Sequence, residues 1–178
     1  KGKTIGVPGM TTTAYLVLRL FQPDFEARIL PFDEILDAVE TDKVDAGVVI
    51  HEGQLSYNQT GLRCVVDLGR WWKQEHDLPL PLGANAVLRS LAPQLQRECA
   101  ERLGESIRYG LDHRQEALSY AQEFARGIDQ NLADKFIGMY VNHHTTSMQP
   151  EVVVSAQKLL DLGHETGLIP QRVKIEYV

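Results

Sequence analysis

Three short runs of strand character, "KTIGV", "EARILPF" and "VDAGVVI", fall within the first 50 residues, and a helix-length segment separates each from the next. Parallel strands need a long crossover connection, usually a helix, whereas antiparallel neighbours can be joined by a tight turn. The alternation therefore limits this part of the chain to an α/β layer with a mainly parallel sheet. The first connection, "PGMTTTAYLVLRLF", opens on turn residues and then sets Tyr15, Leu16, Leu18 and Leu20 at helical spacing. The second, "DEILDAVETDK", puts Ile35, Leu36 and Val39 on one helix face, with Asp33 as its expected N-cap. "VDAGVVI" is apolar almost throughout, as a strand covered on both faces would be. "LRCVVDL" is expected to supply a fourth strand, with Cys64 as a small buried apolar group.

The second half changes character. "PLPLGANAVLRS" reads as a proline-punctuated crossing segment that ends in a strand, and helical periodicity begins at Pro93. Leu95, Cys99, Leu103, Ile107 and Leu111 recur every four residues; Ala117, Leu118, Ala121 and Phe124 mark a second helix. Leu132, Phe136, Ile137 and Tyr140 mark a third, and Val153, Ala156, Leu159 and Leu160 a fourth that stops near Gly167. The expected division is residues 1–80 as a central α/β lobe and residues 81–178 as the crossing strand with the C-terminal helices.

Charge and composition remove several classes of function. With a net charge of -6 and no basic stripe interleaved with aromatics, nucleic acid and anionic membrane are not expected partners. No apolar run approaches the roughly 20 residues of a membrane-spanning helix. The two cysteines, Cys64 and Cys99, are far apart and form no CxxC pair, which fits a reducing cytoplasm. No leader pattern opens the chain. Lys1 leads at once into a strand, as the interior of a protein would, so an N-terminal portion is expected to precede it.

Two stretches could carry chemistry. In "VPGMTTTAY" a strand runs through Pro-Gly into three threonines at a helix start, where unpaired N–H groups and a partial positive charge suit a carboxylate or phosphate. The same residues could equally provide an ordinary threonine N-cap. In "VVIHEGQLSY" His51 and Glu52 follow an apolar strand, where open α/β sheets place their ligands. Histidine titrates near neutrality and can move a proton there; the alternative is a histidine bonded to a loop carbonyl. HExxH is excluded because Leu55 stands where the second histidine would be. Glu52 reads as an orienting or ion-pairing group. Adjacent His143 and His144 lack partners at ligand spacing, so surface or loop histidines are expected and no metal. Trp71 and Trp72 could line a pocket or pack in a core.

Several of these stretches together resemble one family. "VPGMTTTAYLVLRL", "VDAGVVIHEGQLSY", "VVDLGRWWKQEHDLPLPLGANAVLR" and "YVNHHT" are similar, in order and over essentially the whole chain, to the 1,4-dihydroxy-6-naphthoate synthase family of the futalosine route to menaquinone. The resemblance implies a type II periplasmic-binding-protein-like fold of two α/β lobes, with the N-terminal part of the first lobe outside this chain. It implies a cytoplasmic lyase that converts cyclic dehypoxanthinyl futalosine to 1,4-dihydroxy-6-naphthoate, releasing a sugar-derived fragment without metal or organic cofactor. His51 falls on the family's proton acceptor, Thr13 and Ala14 on its substrate-contacting helix start, and Thr12 beside them; Glu52 is left as an orienting group. The implied partners are a small carboxylate-bearing substrate and further copies of the same chain. Gly53 and Ser56 are mild departures from the family pattern. Two alternatives stand beside this reading: a solute-binding protein for a small carboxylate, and a sister enzyme of the chorismate dehydratase type.

Overall fold

A computed structural model describes residues 2–124 and 129–178. Its sheet is small and wholly parallel: β1 (Thr4–Val7) lies between β2 (Glu26–Ile29) and β3 (Ala46–Gly47), in the order β2-β1-β3. The register pairs Thr4 with Glu26 and Val7 with Ile29 on one side, and Ile5 with Ala46 and Gly6 with Gly47 on the other. Asp45 clamps the start of β3 to β1: its carboxylate accepts from Lys3 Nζ at 2.6 Å and from the Thr4 amide at 2.8 Å. The lysine hydrogen bond, then the amide, holds this carboxyl below its ordinary range.

The crossover helices form for the reasons visible in the sequence. α1 (Thr13–Phe21) buries Tyr15, Val17 and Leu18. Its last turn carries Arg19, which stacks on Phe25 at 4.0 Å and donates to Tyr15 Oη and to the carbonyls of Pro23 and Phe25. α2 (Ile35–Glu40) buries Ile35 and Ala38, with Leu36 and Val39 half-buried. It is preceded by a 3-10 turn over Phe32–Glu34, so Asp33 lies inside that turn and does not cap α2; the capping position falls on Glu34, without a side-chain bond.

Strand content is smaller than expected. "VDAGVVI" forms a strand only at Ala46–Gly47, flanked by bonds from the Asp45 amide to the Thr4 carbonyl and from the Val48 amide to the Gly6 carbonyl. After the short helix α3 (Gly53–Ser56) and a 3-10 turn, "LRCVVDL" forms no strand: Cys64 is exposed and Val65 is 88% exposed. The segment is instead the lead-in to α4 (Leu68–His76), whose first turn Asp67 caps by accepting from the Arg70 amide at 3.0 Å. "PLPLGANAVLRS" likewise forms no strand and closes in a turn at 89–90, and Leu88 is 70% exposed.

Two compact units are present. One comprises Lys1–Leu82 with Glu151–Lys174, the other Gly83–Pro150 with Ile175–Val178. The first unit therefore includes nearly all of α9 (Pro150–Glu165), a helix grouped by sequence order with the C-terminal half. Its core has two parts. Val7, Tyr15, Leu18 and Phe25 pack under the sheet, while Val17, Trp72 and Leu159 join α1, α4 and α9; Leu68 touches both groups. Trp72 is fully buried and donates from Nε1 to Ser155 Oγ at 2.9 Å, which donates in turn to the Pro79 carbonyl at 2.6 Å. Trp72 is thus a core residue, and Trp71 is half-buried beside it.

The second unit contains α5 (Pro93–Asp112), α6 (Arg114–Gln122), α7 (Gln130–Tyr140) and α8 (His143–Thr146). The four-residue stripe on α5 makes a helix but not a core: no residue of α5 is buried, and Leu95, Leu103 and Cys99 are exposed. α6 buries Leu118 and α7 buries Ala133, and Arg114 bonds the Asp134 carboxylate at 2.6 Å to join them. Phe124, assigned by periodicity to the second helix, lies beyond the end of α6 and is 68% exposed.

Candidate active site

The strand order defines where a ligand would sit. From β1 the chain crosses to β2 on one side, then returns past β1 to β3 on the other. β1 and β3 run parallel, so their carboxyl ends open at one edge, and the connection reverses direction between them. Open α/β sheets bind ligands in the crevice at such a switch point. The segment leaving β1 carries Thr12, Thr13 and Ala14; the segment leaving β3 carries His51 and Glu52. The topology brings to one edge both stretches marked in the sequence.

The three helix-start residues have different duties. Thr12 is the N-cap of α1: its Oγ1 accepts from the Tyr15 amide at 3.2 Å and donates to the Gly9 carbonyl at 2.8 Å. The cap reading therefore holds for the Thr12 hydroxyl. Thr13 Oγ1 donates to the Leu82 carbonyl at 2.9 Å, tying the helix start to the end of the proline-rich segment. In the first turn, the amides of Thr13 and Ala14 have no intrahelical acceptor, since that bond would need a carbonyl four residues back within the helix. They lie at the positive end of the helix dipole.

His51 lies four residues beyond β3, with its side chain 13% exposed. Its Nδ1 accepts from the Gly53 amide at 3.0 Å. A neutral imidazole with Nδ1 as acceptor carries its proton on Nε2. That Nε2 is buried and has no hydrogen-bond partner among the described residues. Glu52 Oε2 lies 3.9 Å from Nδ1, outside hydrogen-bond range, and Phe32 sits against the ring at a centroid distance of 5.9 Å. The ring rests on the bare Cα of Gly53: a Cβ there would stand 2.5 Å from His51 Cε1 and 2.5 Å from Leu36 Cδ1. Only glycine permits this packing.

Sequence reasoning had no hold on Gly53 as a partner of His51, nor on Phe32 or Leu82. The one signal available was a glycine two residues after a histidine, close enough for its amide to reach back to the ring. His143 and His144 lie side by side on α8 with ring centroids 3.8 Å apart and planes tilted by 41°; among the described residues no group of three or more metal-ligating side chains forms. A cavity of about 290 Å³ in the first unit is lined by Tyr15, Arg19, Leu20, Pro23, Thr166 and Leu168, and includes none of the candidate residues.

The class this defines is an α/β protein with a small parallel sheet, in which a capped helix start and a histidine flank one switch point. The family described as menaquinone biosynthesis matches residues 1–165, and the chain belongs to it. The 1,4-dihydroxy-6-naphthoate synthase of Streptomyces coelicolor is 38% identical over 177 residues, covering 96% of this chain and 62% of that relative. The enzyme of the same name from Thermus thermophilus is 38% identical over 168 residues, covering 94% of this chain and 62% of its own length. The chain thus spans about three-fifths of these relatives. A crystal structure of a protein from Archaeoglobus fulgidus superposes with a TM-score of 0.91 at 44% identity, over 95% of this chain and 64% of that one.

Proposed function

We propose that the chain belongs to a 1,4-dihydroxy-6-naphthoate synthase, a carbon–carbon lyase that forms 1,4-dihydroxy-6-naphthoate from cyclic dehypoxanthinyl futalosine in menaquinone biosynthesis. The observation that carries the reading is the parallel pairing of β1 with β3, which puts His51 and the Thr12–Ala14 helix start at one switch point. The two synthases at 38% identity support the choice of reaction. His51 accepts a proton from a carbon next to a carbonyl, and the charge that develops spreads onto the carbonyl oxygen. The amides of Thr13 and Ala14 hold the substrate carboxylate, with Thr12 fixing the helix start and Thr13 tying it to Leu82. Glu52 orients the histidine. The whole enzyme adopts a type II periplasmic-binding-protein-like arrangement of two lobes, assembles as a homo-oligomer and works in the cytoplasm. Among the described residues no helix is long and apolar enough to cross a membrane.

The test is turnover of the complete protein, followed by absorbance of the aromatic product, with cyclic dehypoxanthinyl futalosine and chorismate offered separately. Product from the first substrate alone is expected, and His51→Ala should reduce kcat by about 10² or more, the usual contribution of a positioned acid–base group. Turnover of chorismate instead, or a His51→Ala variant within about threefold of the parent, would overturn the assignment.

A further inference from the structure

The ring of His51 is held in a state that cannot accept a proton at Nε2. With Nδ1 receiving the Gly53 N–H at 3.0 Å, the imidazole proton sits on Nε2. That atom is also buried and has no hydrogen-bond partner among the described residues, an arrangement that costs free energy and so is rarely retained without use. One change relieves both. If Nδ1 leaves the Gly53 amide, it needs an acceptor for a proton of its own, and Nε2 is released from its buried position. Glu52 Oε2, at 3.9 Å, is within about 1 Å of hydrogen-bond range and faces the same nitrogen.

Resting on the proposed function, we infer that Glu52 is the positioning residue that switches His51 from a resting to a working ring, by taking Nδ1–H in place of the Gly53 amide contact. In the working state Nδ1 carries the proton and donates it to the Glu52 carboxylate, while Nε2 presents a lone pair. The exchange of tautomers moves one proton off Nε2 to solvent and one from solvent onto Nδ1, leaving the charge unchanged. In the reaction the substrate C–H proton passes to Nε2, the bonding pair stays on the substrate and spreads to its carbonyl, and the imidazolium is stabilised by the carboxylate. Phe32, tilted 57° to the imidazole, and the bare Cα of Gly53 line the ring with uncharged groups.

Glu52→Gln in the complete protein is the test, because it keeps side-chain shape and removes the charge. The expected result is a fall in kcat of about tenfold or more with KM within about twofold and an unchanged melting temperature. Ring ¹⁵N spectroscopy provides a readout that a merely structural role would not move. The free parent protein should show the Nε2–H tautomer of His51, and saturation with 1,4-dihydroxy-6-naphthoate should convert it to the Nδ1–H form. Glu52→Gln should remain Nε2–H with the same product bound. The inference is overturned if the two proteins show one tautomer throughout, or if Glu52→Gln keeps kcat within about twofold of the parent. If His51→Ala abolishes turnover while Glu52→Gln does not, the switch fails and the reading of the function stands. If the parent neither turns over the futalosine substrate nor binds the product, the reading of the function fails first.

Discussion

The Trp72–Ser155–Pro79 relay is a buried polar chain in an apolar core, and Ser155→Ala breaks it at its centre. Trp72 and Ser155 are both 0% exposed, and the serine hydroxyl receives the indole N–H at 2.9 Å while donating to the Pro79 carbonyl at 2.6 Å. Removing it leaves the indole N–H with no acceptor and no route to water, at a cost of about 1–3 kcal/mol. The Pro79 carbonyl belongs to a half-buried residue and can be solvated, so it adds little. Alanine returns about 0.5 kcal/mol of helix propensity within α9. The net expectation is a loss of about 1.5 kcal/mol, or about 3–6 °C in melting temperature for a protein of this size. Urea unfolding followed by far-UV circular dichroism measures it, and a double-mutant cycle isolates its origin. Trp72→Phe removes the N–H together with part of a fully buried ring, so that Ser155→Ala made on top of it should cost about 1 kcal/mol less than in the parent. A Ser155→Ala loss below about 0.5 kcal/mol, or strict additivity with Trp72→Phe, would refute the reasoning.

Two further outcomes follow from the same elements. Thr13→Val keeps the shape of the side chain but loses the bond to Leu82, so substrate KM should rise several-fold while stability changes by about 1 kcal/mol or less; an unchanged KM would remove Thr13 from the proposed substrate-holding helix start. His76 packs on the Trp72 ring at 4.2 Å, and burial, then repulsion from Lys158, lowers its pKa below the usual imidazole value of 6.5. The unfolded chain therefore binds a proton more readily than the folded one, and stability should fall as pH drops below about 6.5; unfolding of His76→Gln across this range should show a shallower slope.

What could be read in the sequence depended on whether the determining group was a side chain or the backbone. α1, α2 and α9 were visible because their buried positions recur at helical spacing, and helices of that pattern form wherever a face can be covered. "LRCVVDL" misled because a short apolar run looks alike whether it pairs in a ladder or only leads into a helix. Asp67 decided it: a carboxylate three residues before an arginine amide starts α4 and ends any strand. On α5 the periodicity was real and the burial was not, since periodicity reports which residues share a face and not whether anything covers it.

The site divides along the same line. Its location followed from topology alone: a histidine after β3 and a threonine-rich turn after β1 must meet at one edge once those strands are parallel neighbours. Its chemistry did not, because the partner that sets the His51 tautomer is the amide of Gly53, a group every residue but proline possesses. The adjacent threonines make the same point. Thr12 and Thr13 are indistinguishable in sequence, yet one hydroxyl caps its own helix and the other reaches across 69 positions to Leu82. The Leu82 end of that bond belongs to the segment whose other end, Pro79, is held by Ser155. The core relay and the helix start are therefore joined through the four residues from Pro79 to Leu82. If the proposed function holds, a loss of the relay should consequently appear as a weaker hold on the substrate, without any change in the residue proposed to move the proton.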